Sequence, residues 1–507
     1  MKEIYNLGDL VDHERDQDKL ALIDLGGESG PREFSYRQLD DMANGVARAL
    51  AARGLKRGER IAILSANRAE YLGAYYGVMR AGLVAVPVNH RFPPALIEFV
   101  IRDAGARVVF CDAQRRRSAP ADLPVVEFGA AGTSGFDAFL DAGPFPALMP
   151  APGEAAMFLY TSGSTGSPKG VVLSHQSHIW VVKVRMDGPD LSRHRYLIAA
   201  PLYHMNALAL SKLACAAHAT IILLPQFASA AYIEAIGRYR CTWLTAVPPM
   251  IAMMLREKAL LAQADFSSVE FLRMGSAPVS PGLLQAIAAA MPRAVASNAY
   301  GTTEGGPVVF GPHPDGIEQP GLSVGYPHPR VQLRLADGAD LDAEQGVLQL
   351  KCPALMSAYH NRPDLNPPFT DDGFYISGDV FRRDRQGFHY FVGRVDDMFV
   401  CGGENIYPGE VEKVLETHPD IVQACVVPVD DAIKWQKPVA FCVPRKGASL
   451  SEAEVKQYAL AKAAAFQHPR FVWFVDGLPL SSTNKIDRKA LIALAQSRIA
   501  AGERHTA

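Results

Sequence analysis

Apolar and polar positions follow two different periods along the first part of the chain. Between residues 34 and 110, the amphipathic stretch FSYRQLDDMANGVARALAARGL is followed by the short apolar run RIAILSA, and a second helix-plus-strand pair comes next. Apolar residues three and four positions apart predict a helix, whereas short apolar runs bounded by turn residues predict buried strands. Alternating helices and strands predict α/β layers around a mostly parallel sheet.

The pattern changes three times further along the chain. Residues 113–152 are rich in Ala, Pro, Gly and Arg with weak periodicity, which predicts a peripheral linker and insertion. The α/β pattern returns over 155–309, and after Gly325 short apolar runs separated by turns predict a small β-rich subdomain. After Arg394, a run of helix, two strands, helix and strand predicts a final unit of its own.

The length of 507 residues agrees with more than one domain, because one hydrophobic core rarely serves more than about 250–300 residues. We predict an N-terminal domain over residues 1–394 and a C-terminal domain over residues 395–507. The predicted fold class is α/β. The large N-terminal domain has layered α/β subdomains plus the small β-rich subdomain, and the small, mobile C-terminal domain is α+β.

Charge and composition exclude several classes of protein. The chain has 51 Lys and Arg residues against 53 Asp and Glu residues, without long runs of one sign, so we expect no nucleic-acid partner. Its most apolar segment, 208–224, contains Lys212 and His218, and we expect no membrane span. The first residues are charged where a signal peptide is apolar, and the seven cysteines form no C-x-x-C pair. We therefore expect a cytoplasmic protein without a disulfide framework or a zinc site.

The densest chemical signal is the loop Tyr160-Thr-Ser-Gly-Ser-Thr-Gly-Ser-Pro-Lys-Gly170, which lies between two apolar runs. Its three glycines allow backbone N–H groups to converge on an anion, while its hydroxyls and Lys169 add donors and positive charge. A flexible Ser/Gly linker is the alternative interpretation. The spacing is not that of a Walker A loop, because no glycine directly precedes Lys169.

Four more motifs follow in order: Asn298-Ala-Tyr-Gly-Thr-Thr-Glu304, Tyr375-Ile-Ser-Gly-Asp379, Gly393-Arg-Val-Asp-Asp397 with Gly402-Gly-Glu-Asn-Ile-Tyr-Pro408, and Asn484-Lys-Ile-Asp-Arg488. With the loop, they resemble the motifs of the acyl-adenylate-forming (AMP-binding) superfamily, which includes acyl-CoA synthetases, luciferases and the adenylation domains of peptide synthetases. Arylcarboxylate-CoA ligases of the 4-chlorobenzoate type carry the same Asn-Lys pair. The resemblance extends over nearly the whole chain.

The resemblance implies a reaction in two halves. A carboxylate attacks the α-phosphate of ATP, which gives acyl-AMP and pyrophosphate, and a thiol then attacks the acyl carbonyl. We therefore expect ATP, Mg²⁺ and coenzyme A, with a small carboxylic acid as the other partner. The oligomeric state is left open, a homodimer included. Such chemistry needs positioning and charge neutralisation more than covalent help from the protein.

The resemblance also implies roles for single residues. Lys485 would stabilise the bridging oxygen during adenylation, and Glu304 would bind Mg²⁺ through hard oxygen atoms. Thr303 would contact the α-phosphate. His204 would be a gate between the carboxylate and the thiol tunnel, and Asp396 would be the hinge about which the C-terminal domain rotates.

The nucleotide and CoA would be bound by residues of four of the five motifs and by one further residue. Tyr300 would offer an aromatic face to adenine, and Asp379 and Arg394 would bind the ribose. Gly402 and Gly403 would line a pantetheine tunnel. The predicted cofactor-binding residues are Thr161, Ser162, Gly163, Ser164, Thr165, Gly166, Lys169, Asn298, Tyr300, Gly301, Thr302, Asp379, Arg394, Gly402, Gly403 and Trp435.

The acid pocket is expected between the turn at 201–206, the loop at 274–278 and the residues after Glu304. This turn offers no carboxylate to pair with an ammonium, which disfavours an α-amino acid. Apolar side chains and a glycine wall predict an aromatic, alicyclic or medium-chain monocarboxylic acid. The predicted pocket residues are Val184, His204, Met205, Met274, Gly275, Ser276, Ala277, Gly305 and Gly306.

CoA is the expected acceptor, because only 22 residues follow Lys485 and we expect no fused carrier domain. Three alternatives remain open: an acyl-AMP ligase with a separate carrier protein, an enzyme of one half-reaction that uses a supplied adenylate, and a catalytically silent nucleotide-binding scaffold. The presence of the phosphate loop, Glu304 and Lys485 disfavours the scaffold. Nothing in the chain singles out luciferase-type oxygenase chemistry.

Overall fold

The computed structural model describes residues 2–27, 30–162, 168–275, 279–363, 368–401, 404–431, 435–463, 467–481 and 485–502. Some of the predicted site residues lie wholly or partly outside these ranges. For Ser162 and Trp435, only the backbone is described. Outside the described residues lie 163–166, Ser276, Ala277, Gly402 and Gly403.

Strands and helices alternate through the first part of the chain, as the hydrophobic pattern predicts. Helix α1 begins with a capping box, in which the Ser35 hydroxyl accepts from the Gln38 backbone N–H and the Gln38 side chain accepts from Ser35. The elements in order are β1 (Leu20–Asp24), β2 (Arg32–Ser35), α1 (Tyr36–Ala52), β3 (Arg60–Leu64), α2 (Ala69–Arg80), β4 (Val84–Pro87), α3 (Pro94–Asp103), β5 (Ala106–Asp112), β6 (Val125–Phe128) and α4 (Phe136–Phe139).

Strand β6 corrects one sequence expectation. Residues 113–152 were expected to be a peripheral linker and insertion, but β6 pairs in parallel with β5 and forms the edge of a sheet. A strand of four residues is too short for periodicity to reveal it, and its pairing partner decides the conformation.

The α/β pattern continues through the middle of the chain. The elements are β7 (Ala155–Ser162), β8 (Pro168–Ser174), α5 (His175–Met186), β9 (Arg195–Ile198), α6 (Met205–Ala216), β10 (Thr220–Leu223), α7 (Ser229–Arg238), β11 (Trp243–Ala246), α8 (Pro248–Met254), α9 (Lys258–Leu261), β12 (Phe271–Gly275), α10 (Pro281–Ala290) and β13 (Val295–Ala299).

Short strands follow, as predicted for the β-rich subdomain, and the C-terminal unit comes after them. The strands are β14 (Phe310–Gly311), β15 (Tyr326–Pro327), β16 (Gln332–Ala336), β17 (Gln345–Lys351), β18 (Ala358–Tyr359), β19 (Tyr375–Arg383) and β20 (His389–Arg394). The C-terminal elements are β21 (Phe399–Cys401), β22 (Glu404–Ile406), α11 (Pro408–Leu415), β23 (Ile421–Asp431), β24 (Trp435–Pro444), α12 (Glu452–Lys462), β25 (Phe471–Phe474) and α13 (Arg488–Ala500).

Two mostly parallel seven-stranded sheets form most of the N-terminal part. The first has the order β13-β12-β11-β9-β10-β1-β2, and the second has the order β18-β8-β7-β4-β3-β5-β6. Helices cover the sheets, and strands β16, β17, β19 and β20 form a separate antiparallel sheet. This layered arrangement with a small β-rich sheet confirms the predicted α/β fold class.

The C-terminal unit has its own sheet and its own cores. Alternate residues of β23 and β24 face opposite sides: Val426 packs with α11 and α12, whereas Cys425 packs with α13. All buried members of these two clusters lie between residues 399 and 495. The boundary at residue 394 stays a prediction, and this separation of the cores supports it.

Two expectations about the interior can be compared with the structure. Within the described ranges, no helix combines the length and the apolar character that a membrane crossing requires. All seven cysteines are buried free thiols, so the structure contains no disulfide.

Lys212 on α6 is an unusual interior residue, because it is fully buried among His178, Tyr75 and Met157. No carboxylate among the described residues forms an ion pair with it. Burial lowers its pKa from 10.5 to about 7.

We expect Lys212→Met to stabilise the protein by about 1–4 kcal/mol at pH 6, where the buried ammonium is charged. The unfolded chain binds more protons than the folded chain between pH 7 and 10.5, so wild-type stability should rise through this window. The stability of Lys212→Met should not show this rise with pH. Urea unfolding at several pH values measures both effects, and an unchanged slope in the variant would contradict the assignment.

Candidate active site

The phosphate loop connects the two strands of a hairpin. Strands β7 and β8 are antiparallel with Thr161 opposite Lys169, so the ends of the predicted loop are held side by side. The Thr161 hydroxyl lies 3.5 Å from Glu304 Oε1, and Lys169 Nζ lies 4.8 Å from the centre of the Tyr359 ring. Both ends of the loop therefore face Glu304 and its neighbour Tyr359.

Glu304 offers carboxylate oxygens beside hydroxyl groups, and oxygen ligands are what a hard cation needs. Its Oε1 accepts from the Tyr359 hydroxyl at 3.2 Å and lies beside the Thr161 hydroxyl. Mg²⁺ in nucleotide sites is commonly held by one or two carboxylates together with substrate phosphates. This single carboxylate among hydroxyls, next to the phosphate loop, fits that ion. Tyr359 lies outside all five motifs, and no sequence signal pointed to it.

The turn that carries Glu304 is tightly closed. Thr302 and Gly306 form an isolated antiparallel bridge, and Thr303 lies within this turn, partly buried. A Cβ at Gly301 would lie 2.8 Å from the Gly306 carbonyl oxygen, so a larger residue would force the turn apart. The predicted residues of this motif are thus held in one rigid turn.

Residues on the strands before this turn are positioned by sheet pairing. Asn298 lies on β13, and its Nδ2 donates to the Leu322 carbonyl at 3.3 Å. Gly275 ends β12 opposite Ala299, whose carbonyl oxygen would lie 3.0 Å from a Cβ at Gly275. Both residues therefore have structural partners in addition to their predicted roles.

Asp379, which is predicted to bind the ribose, carries a buried carboxylate. It is 5% exposed, and its carboxylate accepts from the Tyr300 hydroxyl. Arg394, which pairs with it across β19 and β20, has its Nε 3.6 Å from Oδ1. Burial raises the pKa of Asp379, while the Tyr300 hydroxyl and the Arg394 charge oppose that rise. The structure brings these three predicted residues together.

Tyr300 is held in place by aromatic packing. Its ring lies edge-on to Phe381 at 4.8 Å and is partly exposed. Burial and the neighbouring Asp379 raise the pKa of its phenol, so the hydroxyl stays a donor to that carboxylate. The ring direction is fixed before any ligand binds.

Lys485 reaches this site from the C-terminal unit. Its backbone closes a short turn, in which the Ser481 N–H donates to the Lys485 carbonyl at 2.7 Å. The Lys485 side chain keeps contact with solvent. Desolvation by the residues around it and the charge of Arg394 lower the pKa of Lys485, whereas the charges of Asp379 and Glu304 raise it. Lys485 therefore lies within electrostatic reach of three predicted N-terminal residues.

His204 directly precedes α6, close enough to Lys485 for the charge of the lysine to act on it. Its Nε2 is buried without a hydrogen-bond partner among the described residues, and its ring packs on Tyr203 at 4.5 Å. Burial, followed by the charges of Lys485 and Arg91, lowers its pKa to about 3. His204 is thus a neutral imidazole at physiological pH, with one nitrogen left free to meet a ligand.

Asp396, the predicted hinge residue, lies two residues after Arg394 of the predicted ribose site. Asp396 lies in the 3-10 turn Val395–Asp397, with its Oδ2 3.6 Å from the Arg394 guanidinium. Lys413 on α11 donates to the Phe391 carbonyl on β20, which joins the C-terminal unit to the N-terminal part. Arg394 therefore contacts both the buried carboxylate and the hinge carboxylate.

The predicted CoA residues can be placed only through their neighbours. The backbone of Trp435 pairs with Cys401, the residue directly before Gly402. Sheet pairing therefore places Trp435 beside the start of the predicted tunnel loop.

The predicted residues of the acid pocket divide between two cores. Val184 on α5 and Met205 at the start of α6 belong to the same core region. Met274, however, is fully buried in a different core with Leu244 and Ile251. Because side chains alternate along a strand, Met274 faces that second core from β12, and its place in the acid pocket stays a prediction.

The two glycines after Glu304 also differ from expectation. Both are buried, and an added Cβ would lie 2.8 Å from Thr302 Oγ1 at Gly305 and 2.6 Å from Ala354 Cβ at Gly306. Gly306 also has a φ of +84°, which favours glycine. Close packing and backbone conformation therefore account for these glycines. The expectation that they leave room for an acyl group was wrong on the side that a Cβ would occupy.

Two family models and several known proteins match most of this chain. The family described as "AMP-binding enzyme" matches residues 11–360, and "AMP-binding enzyme C-terminal domain" matches residues 410–485. A sulfoacetate–CoA ligase of Cupriavidus necator is 30% identical over 92% of this chain and 94% of its own. A fatty acid–[acyl-carrier-protein] ligase, ScoC, of Streptomyces coeruleorubidus is 31% identical over 91% of each chain.

A solved structure shows the same fold and arrangement. ATP-bound MatB from Rhodopseudomonas palustris superposes with a TM-score of 0.86 at 28% identity, covering 97% of this chain and 99% of its own. The same protein without nucleotide gives 0.78. The resemblance carried by the five motifs is therefore confirmed, and the chain belongs to the AMP-binding enzymes, the acyl-adenylate-forming superfamily.

Proposed function

We propose that the chain is an ATP-dependent carboxylate–CoA ligase that forms an acyl-AMP intermediate and then an acyl-CoA thioester. The observation that carries this proposal is the contact between motif residues from separate parts of the chain: Glu304 lies beside Thr161, and Asp379 lies beside Tyr300 and Arg394. Family membership makes the class an AMP-forming acid–thiol ligase.

In the first half-reaction, the chain binds ATP and orients the acid. Asp379 accepts the ribose hydroxyls, with Arg394 as a further donor, and Tyr300 offers its ring to adenine. Thr161 and Lys169 hold the phosphates with the rest of the loop, and bound Mg²⁺ at Glu304 supplies charge neutralisation. Thr303 contacts the α-phosphate.

Lys485 has the central role in this half-reaction. Its ammonium donates to the oxygen that bridges the acyl group and the α-phosphate, where negative charge develops. The nearer match to ATP-bound than to nucleotide-free MatB supports an arrangement suited to adenylation.

In the second half-reaction, the C-terminal domain rotates about Asp396 and brings Gly402 and Gly403 to the adenylate. Trp435 contacts the nucleotide end of CoA. The neutral His204 gates the path between the thiol and the acyl carbonyl without adding charge there. The thiol ionises by losing its proton to solvent, the thiolate attacks the acyl carbon and AMP leaves; because a thiol ionises readily, no general base is needed.

The sequence favours an aromatic, alicyclic or medium-chain monocarboxylic acid. Val184 and Met205 support an apolar wall, whereas Met274 packs in a different core. The names of the two curated relatives differ widely in acid, from sulfoacetate to fatty acids, so they do not choose among these classes.

A carrier-protein acceptor is the second candidate, because ScoC is named as a ligase for acyl-carrier protein. A screen of carboxylic acids, read by both pyrophosphate and thioester formation, tests both. We expect pyrophosphate release with ATP and Mg²⁺, and thioester formation when CoA is added. Thioester only with a phosphopantetheinylated carrier favours the second candidate. No pyrophosphate with any acid contradicts the proposal and favours a half-reaction enzyme or a silent scaffold.

We expect Asp379→Asn to raise the KM for ATP by about 10- to 100-fold, since a charged acceptor is worth about 1.5–3 kcal/mol in a hydrogen bond. Asp372→Asn is a matched control, because Asp372 is an exposed carboxylate paired with Arg334. The control should leave the KM unchanged. Equal KM values in wild type and Asp379→Asn would remove Asp379 from the ribose site.

A further inference from the structure

Two arginines near the predicted acid pocket have no acidic partner among the described residues. Arg185 on α5 directly follows Val184, and Arg273 lies at the centre of β12. Neither forms an ion pair with a carboxylate in the part of the chain that the structure describes. By contrast, the buried Arg80 pairs with Asp40 at 2.5 Å. Partly buried guanidinium groups without a counter-ion are costly, so they call for an explanation.

Arg273 lies on the face of β12 opposite Met274. Met274 packs in the core that contains Leu244 and Ile251, and strand alternation turns Arg273 to the other face. Its Nη2 lies 3.4 Å from the carbonyl of Pro307, three residues after the predicted Mg²⁺ ligand Glu304. Arg273 is therefore turned away from that core and lies next to the segment that follows Glu304.

The residue opposite Arg273 links it to the His204 turn. Thr245 on β11 is its register partner, and the Thr245 hydroxyl donates to Asn206 Oδ1 at 3.0 Å. Asn206 lies two residues after His204 on α6. The surface beside His204, the predicted gate, is thus polar and positively charged rather than wholly apolar.

Arg185 lies close to Arg273, and their charges repel. Burial and then Arg185 lower the pKa of Arg273 well below its ordinary value, and burial lowers that of Arg185 to about 10. The Tyr196 hydroxyl, near Arg185, is buried without a hydrogen-bond partner among the described residues. Two guanidinium groups and a free hydroxyl donor together match an oxyanion.

We propose that Arg273 and Arg185 bind a second anionic group of the acid substrate, a carboxylate or a sulfonate, while its reacting carboxylate lies near Lys485. The substrate class is then a dianionic acid, which replaces the monocarboxylate expected from sequence. This inference rests on the proposed function. An anion at this position offsets the repulsion between the two arginines, whereas a methyl group there leaves both of them unpaired.

The test compares acids in matched pairs that differ only at the second group. Malonate and sulfoacetate are compared with propionate, succinate with butyrate, glutarate with valerate, and terephthalate with 4-methylbenzoate. Pyrophosphate release with ATP and Mg²⁺ gives kcat/KM for each. We expect wild type to prefer the dianionic acid in at least one pair by about 10- to 100-fold, because each charged hydrogen bond is worth about 1.5–3 kcal/mol. The malonate and sulfoacetate arms separate carboxylate from sulfonate.

Variants then assign the preference to the arginines. Arg273→Met should lower kcat/KM for the dianionic acid by about 10- to 100-fold and leave that of its monoanionic partner unchanged or higher. Arg273→Lys should retain part of the preference. Arg193→Met is the matched control, since Arg193 is exposed and pairs with Glu270, and it should leave the ratio unchanged.

Thermal unfolding of wild type with each acid adds a measurement that needs no variant, and stabilisation by the dianionic member of a pair is expected. Pyrophosphate release with a preference for the monoanionic acid in every pair overturns this inference and leaves the proposed function standing. An unchanged ratio in Arg273→Met also overturns it. No pyrophosphate release with any acid overturns the proposed function, and the inference with it.

Discussion

Lys485→Ala is expected to lower acyl-AMP formation by about 10²- to 10³-fold, the usual effect of removing one donor aimed at developing charge. The Lys485 ammonium lies within electrostatic reach of Glu304, Asp379 and Arg394, around the predicted positions of the α-phosphate and ribose. Thioester formation from supplied acyl-AMP should stay within a few-fold of wild type, because the proposed rotation of the C-terminal domain takes the lysine out of the site in that half-reaction. Pyrophosphate release and thioester formation measure the two halves separately.

Lys489→Ala is the matched control for this prediction. Lys489 is an exposed lysine four positions further along, on α13, and neither half-reaction should change. Equal losses in both half-reactions of Lys485→Ala would point to a structural role. An unchanged rate of pyrophosphate release would remove Lys485 from catalysis.

Arg488→Met is expected to destabilise the C-terminal unit by about 3–5 kcal/mol, the cost of breaking a buried ion pair. Arg488 donates to both carboxylate oxygens of Glu412, at 2.6 and 2.8 Å, and to the Val426 carbonyl at 2.8 Å. The variant leaves the buried Glu412 without its counter-ion. Because Arg488 begins α13, three residues after Lys485, acyl-AMP formation should fall as well. Urea unfolding measures the stability.

Two further variants separate this ion pair from a general loss of charge. Arg238→Met removes an exposed pair with Glu234 and should cost less than about 1 kcal/mol. Adding Glu412→Gln to Arg488→Met should recover part of the stability, since no unpaired charge then stays buried. A loss as small as that of Arg238→Met would show that this pair does not anchor α13.

The order of elements in the C-terminal unit followed from local pattern. The run of helix, two strands, helix and strand after Arg394 appears as α11, β23, β24, α12 and β25. Alternation along β23 and β24 sorts their side chains into two cores, a period that neighbouring residues encode directly. The short strand β6 was missed, because a run of four residues depends on its partner.

Part of the site was visible in the motifs, and part was not. Each motif gave its own residues, such as Asp379 and Glu304. Tyr359, which donates to Glu304, belongs to none of them and comes from the pairing of β18 with β8. Met274 and Arg273 are adjacent in sequence, and the placement of β12 in the sheet turns their side chains to opposite faces.

The sequence by itself determined the family, the alternation of elements and the residue types of the chemistry, because periodicity, turn residues and motif spacing are properties of neighbouring residues. Only the tertiary structure decided which residues meet. Thr161 and Glu304 are 143 positions apart, and Tyr300 and Asp379 are 79 apart, yet both pairs are neighbours. Such contacts, and the two arginines that form no ion pair among the described residues, depend on sheet order, strand face and the position of the C-terminal unit, none of which is a local property of the chain.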